Sequence, residues 1–335
     1  MMPRRPSTNY TYLIVCGDFG PASVSGGPTR NRFFSRLARA QMESLNEKDF
    51  STRRSQTLDR LSRLPVFSHA ALRLLTIATE ADSAREDFES AFRSDPSLAA
   101  DLLIAANSAE FGFRAKVASI SHALSLLGLE RARSLACTIA MSFYLRGSAN
   151  PDVSVNWEHS MASAALAEHL GEVSSLNPPL PYSAALLHDI GRLGLQQISP
   201  SDYSYLMALD IAEIDEALRN ETVLFGMNHC EAGEAMSRTW GFPESLQHHI
   251  RMHHGHEPLE RDPVRSLVQT ACRLAEGLGY PETSLAPGAH RFGLQDAIPP
   301  RFRKHAAFTP ERLSAVVNVH FALAGGLGPS KHLQS

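Results

Sequence analysis

The amino-acid sequence predicts an all-α protein. Between about residues 57 and 280, apolar side chains recur at helical spacing, whereas the alternating pattern of a half-buried β-strand is scarce. Glycine and proline separate the successive segments, as they do where helices begin and end. With 335 residues, the chain can bury a large core and is predicted to hold one or two domains.

The first 56 residues are predicted to form a flexible basic leader. They contain nine lysines and arginines against four acidic residues, and residues 17–29 are rich in glycine, proline and serine. The apolar run that ends at Cys16 follows Arg4 and Arg5 but is too short for an export signal. Two interpretations stay open: a loosely structured start, or an arm that tethers an acidic partner.

Several helix boundaries can be placed from capping residues. Asp95 followed by Pro96 predicts a helix start, because aspartate caps and proline suits the first helical position. Gly128 predicts the end of an apolar helix that carries the stripe beginning at Ile120. The prolines and glycines of residues 281–309 predict a long loop, and Thr309 is expected to begin a last helix.

Composition excludes several classes of function. Hydrophobic content of 43% and charged content of 20% are those of a soluble globular protein, and the net charge of -3 gives no case for nucleic acid or membrane as the main partner. No apolar run approaches the roughly 20 residues that span a bilayer. The four cysteines are far apart, which favours reduced thiols in a cytoplasmic protein. Neither a phosphate-binding GxxxxGK[ST] run nor a GxSxG elbow occurs.

Five histidines and one aspartate are placed like a metal site. Imidazole and carboxylate suit zinc, iron or manganese, and a carboxylate can bridge two such ions. Small or apolar residues lie at helical spacing from His159, His229 and His253, so these side chains are expected to point inward. Hydrogen-bonded core histidines are the alternative for any single position, but the set together predicts one or two divalent ions. The residues are His159, His188, Asp189, His229, His253 and His254.

Short motifs between residues 57 and 275 occur in a recognisable order. They are Leu64-Pro65, Asp95-Pro96, Asn107-Ser108, Ile120-Ser121-His122-Ala123, Leu127-Gly128-Leu129, Trp157-Glu158-His159-Ser160, Leu187-His188-Asp189-Ile190-Gly191-Arg192, His229-Cys230-Glu231-Ala232-Gly233, Trp240-Gly241-Phe242-Pro243 and His253-His254. In this order they resemble the HDOD family, a branch of the HD phosphohydrolase superfamily. The resemblance implies a bacterial, all-helical HDOD domain at 57–280. It would comprise an N-terminal lobe at 57–150 and an HD-type helical bundle at 151–280. Residues 281–335 would add a C-terminal loop and helix.

The resemblance also implies a ligand set. As in two-metal HD hydrolases, Asp189 would bridge two ions, and His159 and His188 would hold one of them. The second ion would be held by the remaining histidines: His229, His253 and His254. On the same resemblance, the ligand set should end with an aspartate on a later helix.

Two positions depart from the catalytic members of the superfamily. Cys272 stands where that aspartate is expected; a thiolate can bind zinc or iron, but a small buried apolar residue is the alternative reading. Arg192 stands where HD-GYP proteins have lysine, and could contact a phosphate or lie on the surface at a helix end. His248 and His249 share the predicted helix of His253, which favours surface or packing roles for both.

The sequence leaves two functions open. One is a signalling or regulatory module that acts through a separate protein partner, with a degenerate or structural metal site. The other is a metal-dependent phosphohydrolase acting on a nucleotide or cyclic nucleotide, which needs an open metal position with an activated water. The cysteine at position 272 favours the first function. So does the lack, after His254, of the Gly-Tyr-Pro signature that the resemblance leads us to expect in cyclic dinucleotide phosphodiesterases. Gly279-Tyr280-Pro281 occurs later and is predicted to be only a helix stop.

Overall fold

The described part of the chain is helical. The computed structural model describes residues 47–80, 82–109, 111, 116–145, 152–174, 181–207, 214–255, 262–282 and 293–324. Within these ranges the regular structure consists of α-helices and two short 3-10 helices, without a β-strand. The all-α prediction is therefore confirmed. None of these helices combines the length and apolarity that a bilayer span requires.

Two helix boundaries in the first lobe lie where capping residues predicted them. Asp95 Oδ1 accepts hydrogen bonds from the backbone N–H groups of Ser97 and Leu98, and Gly128 takes a positive φ of 75° that ends the fifth helix. These two boundary predictions are confirmed. The helices up to residue 145 are α1 (Glu47–Leu61), α2 (His69–Thr79), α3 (Arg85–Arg93), α4 (Pro96–Ala106), α5 (Ile120–Leu127) and α6 (Leu129–Leu145).

The predicted extent of the leader is wrong at its C-terminal end. Residues 1–46 lie outside the described residues, but residues 47–56 belong to α1, which packs against the second lobe. The basic side chains explain this docking. Arg53 Nη1 donates to the carbonyl of Val223 over 2.7 Å, and Arg54 Nη1 lies 3.0 Å from a carboxylate oxygen of Glu231.

The second lobe is built around one long helix. This helix, α7 (Asp152–Ser174), packs against α8 and α14, and small residues such as Ala162, Ala164 and Ala165 let its neighbours approach closely. The other helices are α8 (Pro181–Leu187), α9 (Ile190–Ile198), α10 (Pro200–Met207), α11 (Ile214–Phe225), α12 (His229–Thr239), α13 (Glu244–Met252) and α14 (Pro263–Gly277).

An aromatic group joins the two lobes. Phe67, which precedes α2, stacks on Tyr144 of α6 with ring centroids 4.8 Å apart. Trp240 and Phe242, which follow α12, lie 5.3 Å from the same Phe67 ring. Aromatic ring pairs stabilise a fold by more than the burial of their apolar area alone, so these contacts hold the second lobe against the first. One apolar core runs through both lobes.

The long loop predicted at 281–309 is wrong in its second half. Residues 283–292 lie outside the described part, but α15 (Leu294–Ala297) and two 3-10 helices (Pro300–Phe302 and Ala306–Phe308) follow. They form because Ile298 and Phe308 are buried against the second lobe, which the proline count did not reveal. Thr309 caps the last helix, α16 (Pro310–Leu323), as predicted, and α16 packs on α7.

Candidate metal centre

The predicted ligands come from five regions of the second lobe. His159 lies in the middle of α7, and Cys272 lies on α14. The other ligands lie at helix ends. His188 and Asp189 occupy the turn between α8 and α9, His229 begins α12, and the pair His253 and His254 follows α13. Five of these side chains are almost inaccessible to solvent, at 0–2% exposure: His159, His188, Asp189, His229 and His253.

Two glycines bring α9 and α12 into contact beside the centre. A Cβ atom on Gly191 would lie 1.9 Å from the carbonyl oxygen of His229 and 2.5 Å from the backbone nitrogen of Gly233. Only glycine allows this approach, because any side chain there would overlap the facing backbone. The contact places Asp189, two residues earlier, beside the first turn of α12.

The first half of the centre surrounds one oxygen of Asp189. Its Oδ1 atom lies 3.4 Å from His229 Nε2 and 3.5 Å from His253 Nε2. The two Nε2 atoms are 3.2 Å apart. With His254, these residues offer ligand atoms that all lie within 4.8 Å of one another.

The second half lies on the other side of the same carboxylate. Asp189 Oδ2 is 3.4 Å from His188 Nε2, which in turn is 3.5 Å from Cys272 Sγ. His159, His188 and Cys272 form a second group whose ligand atoms lie within 4.8 Å. Asp189 Oδ2 is buried without a hydrogen-bond partner. Asp189 therefore lies between the two groups; the bridging role that the resemblance implied for it stays a prediction.

Four of the histidines are oriented by a hydrogen bond on the outer ring nitrogen. In each, Nδ1 donates to an oxygen, which directs Nε2 at the centre. In His229 and His253, whose pKa values are lowered, Nε2 carries no proton. The acceptors are the Tyr280 carbonyl for His159 (2.9 Å), the Ala185 carbonyl for His188 (2.6 Å), the Ile250 carbonyl for His253 (2.7 Å) and Glu221 Oε2 for His229 (2.6 Å).

This arrangement calls for a cation. Two unprotonated Nε2 atoms that face each other at 3.2 Å repel, and a positive charge between them removes the repulsion. A proton is poorly suited, because burial and the neighbouring His254 hold the pKa of His253 well below its usual range. Burial and Arg192 lower the pKa of His229 as well. A divalent metal ion fits the donor set, since neutral imidazole and carboxylate are its ordinary ligands.

Cys272 is ionised at neutral pH in the metal-free protein. Burial opposes the thiolate, but the charge of His188 and a hydrogen bond from His159 outweigh it and lower the pKa of Cys272 to about 6. Cys272 is partly buried and faces the two histidines. A thiolate beside two imidazoles is a ligand set that suits zinc.

Arg192 is a buried counterion. The alternative that it lies on the surface is wrong, since only 1% of it is exposed. Its Nε donates to Asp189 Oδ1 over 3.1 Å, Nη2 donates to Glu282, and Nη1 lies 3.8 Å from Glu221 Oε1. Burial opposes ionisation of Asp189, but Arg192 and His188 hold its pKa well below its usual range. The phosphate contact stays a prediction, and the guanidinium is already engaged by carboxylates.

Sequence reasoning missed two acidic residues around the centre. Glu221 accepts hydrogen bonds from both the backbone N–H and Nδ1 of His229, and His254 Nε2 donates to Glu282 Oε1 over 3.1 Å. A signal for Glu221 was present, because it lies on a buried stripe of α11 between Ala217 and Phe225. A carboxylate on such a stripe needs a positive partner.

The fold and this centre define a class: all-helical, two-lobed proteins with two ligand groups around one aspartate. The sequence model of the HDOD domain family matches residues 64–256, which is more than half of the chain. The chain belongs to the HDOD family, which confirms the resemblance seen in the sequence.

Known structures share the fold at low sequence identity. A candidate signal transduction protein from Marinobacter aquaeolei VT8 is 19% identical, with a TM-score of 0.61 over 84% of this chain and 66% of that one. An HDOD domain protein of unknown function from Geobacter sulfurreducens is 22% identical, with a TM-score of 0.59 over 86% and 96%. A candidate phosphohydrolase from Shewanella amazonensis SB2B is 20% identical, with a TM-score of 0.56 over 82% and 98%.

One curated relative matches as well. An uncharacterized protein from Treponema pallidum (strain Nichols) is 26% identical over 223 residues, which is 64% of this chain. The match spans 42% of that relative, so the chain corresponds to less than half of its length.

Proposed function

We propose that this protein is a signalling or regulatory protein that acts through contacts with a separate protein partner. In this proposal its histidine–aspartate centre holds one or two divalent ions in a structural role. The observation that carries the proposal is the burial of the ligands, at 0–2% exposure for five of them. A hydrolase needs an open coordination position that water and substrate can reach.

Two separate groups of residues would hold the two ions. His229, His253, His254 and Asp189 would hold one ion, and His159, His188 and Cys272 the other. When bound, such an ion supplies positive charge to the buried carboxylate and, where water reaches it, Lewis acidity. Arg192 and Glu221 orient the ligands: the arginine holds Asp189 Oδ1, and the glutamate fixes the ring of His229.

Two further observations support the regulatory function. Cys272 replaces the oxygen donor expected at that position, and sulfur favours the tight binding of a borderline metal over exchange with water. The Marinobacter structure named as a candidate signal transduction protein has the same fold.

A metal-dependent phosphohydrolase acting on a nucleotide or cyclic nucleotide is the second candidate. The retained histidines and Asp189 favour it, and so does the candidate phosphohydrolase among the similar folds. For this function Arg192 must give up its contact with Glu282 to hold a phosphate, and the centre must open to solvent.

The test combines elemental analysis with a hydrolysis panel of nucleotides and cyclic dinucleotides. We expect the purified protein to carry zinc, iron or manganese and to hydrolyse none of the panel. Asp189→Ala should lose the metal of this centre, because it removes a carboxylate shared by both positions. Asp59→Ala, an exposed change on α1, is the matched control and should retain it. Hydrolysis at about 1 per second or faster would overturn the regulatory proposal.

A further inference from the structure

A third group of possible ligands lies outside the centre. His248 and His249 are adjacent on α13, and Asp262 precedes α14. His248 Nε2 is 3.4 Å and His249 Nδ1 is 3.8 Å from the same atom, Asp262 Oδ2. The ligand atoms of the three residues lie within 4.8 Å of one another. This group is separate from the ligands assigned above.

Two atoms of the group are buried without a hydrogen-bond partner. They are Nδ1 of His249, a residue only 9% exposed, and Oδ2 of Asp262. The other oxygen of Asp262 is engaged, because Oδ1 accepts from the backbone N–H of Arg265 over 2.9 Å and so caps α14. That cap fixes the carboxylate and turns Oδ2 toward the two imidazoles. Orphaned polar atoms that face each other mark a place where an ion or water belongs.

We propose that His248, His249 and Asp262 form a second metal site, for a divalent transition metal such as zinc. Metal–ligand bonds of about 2.0–2.2 Å in a tetrahedral site place ligand atoms roughly 3.3–3.6 Å apart. The observed 3.4 and 3.8 Å need only a small adjustment. Two imidazoles with one carboxylate favour zinc over magnesium or calcium. The side chain of His248 is 59% exposed, which gives the ion access from solvent.

An ion pair between His248 and Asp262, without a metal, would leave Nδ1 of His249 without a partner. A protonated His248 could pair with Asp262, but His249 Nδ1 would still lie too far away, at 3.8 Å, for a hydrogen bond. One metal ion satisfies both orphaned atoms at once. The ion would tie α13 to the N-terminus of α14, so its binding should stabilise the folded protein.

The experiment counts zinc ions per chain after equilibrium dialysis, for the 335-residue chain and three variants of it. His248→Ala removes an exposed ligand and is not expected to disturb packing. Asp262→Asn keeps an oxygen that can cap α14 but removes the charge. His122→Ala changes an exposed histidine outside the group and is the control. We expect the first two variants to bind one ion fewer than wild type and to lose part of the zinc-induced rise in Tm. The control should match wild type.

The outcomes separate this site from the central one. Asp189→Ala should lose central ions but keep the ion that depends on His248. A zinc count that is equal in wild type, His248→Ala and Asp262→Asn would overturn the proposal. A loss in His248→Ala without a loss in Asp262→Asn would also overturn it, because that pattern is binding by surface histidine alone.

Discussion

Replacing Glu221 by glutamine tests the outer support of the metal centre. Glu221 Oε2 accepts two hydrogen bonds from His229, over 2.8 Å from the backbone N–H and 2.6 Å from Nδ1, and Oε1 lies 3.8 Å from Arg192. Glutamine has nearly the same shape and can still accept from His229. It removes a negative charge that is 2% exposed, so the change is electrostatic rather than steric.

The expected magnitude follows from the two hydrogen bonds. A hydrogen bond to a charged group contributes about 1.5–3 kcal/mol and a neutral one about 1 kcal/mol, so two weakened bonds cost about 1–4 kcal/mol of unfolding free energy. Arg192 also loses one of three carboxylate neighbours. Because the charge no longer polarises the imidazole of His229, metal affinity should fall about 10–100-fold.

The assay is competition for metal with a chromophoric chelator, together with urea unfolding of the metal-free protein. Glu216→Gln on the same helix is the matched control and should leave both quantities unchanged. A metal affinity within about twofold of wild type in Glu221→Gln would refute the view that this carboxylate orients and polarises His229.

Other predictions follow from the same geometry. Cys272→Asp should raise manganese occupancy beside His188, measured by elemental analysis, since a carboxylate oxygen suits manganese better than a thiolate does; unchanged manganese occupancy would argue against Cys272 as a ligand position. In metal-free protein, thiolate absorbance should titrate near pH 6 and vanish in Cys272→Ser, because burial raises the pKa of Cys137 to about 12 and that of Cys230 well above its usual range. Folding lowers the pKa of Cys272 from 9.0 to about 6, so the thiolate stabilises the folded protein fully above pH 9, and this stabilisation is lost as the pH falls through about 6. In Cys272→Ser, the free energy of unfolding should therefore depend less on pH between these values. Gly191→Ala should lower unfolding free energy by about 1–3 kcal/mol or more in urea titrations, whereas an undiminished value would contradict the tight helix crossing.

The inner ligands could be predicted because helical spacing reveals which face is buried. His229 is followed by Ala232, Gly233 and Met236 at one face, and all of them are buried. Asp189 could be placed by its motif, although it lies in a turn rather than within a helix.

The outer residues could not be predicted in the same way. Glu282 lies several residues after the end of a helix, so the helical spacing of apolar residues cannot show whether it is buried. Its partners Arg192 and His254 are distant in sequence. The start of α1 was missed because its surface is polar and it is held by arginine contacts, which carry no apolar pattern. Local patterns reveal burial, whereas pairing across the fold depends on the tertiary structure.

The short segment that follows α14, residues 278–282, contacts both halves of the centre. The carbonyl of Tyr280 holds the ring of His159, and two residues later Glu282 accepts from His254 and Arg192. One short segment is therefore hydrogen-bonded to residues of both halves, and it precedes α15 and α16 in sequence. Loss of an ion from either half is therefore expected to alter the contacts of the same short segment.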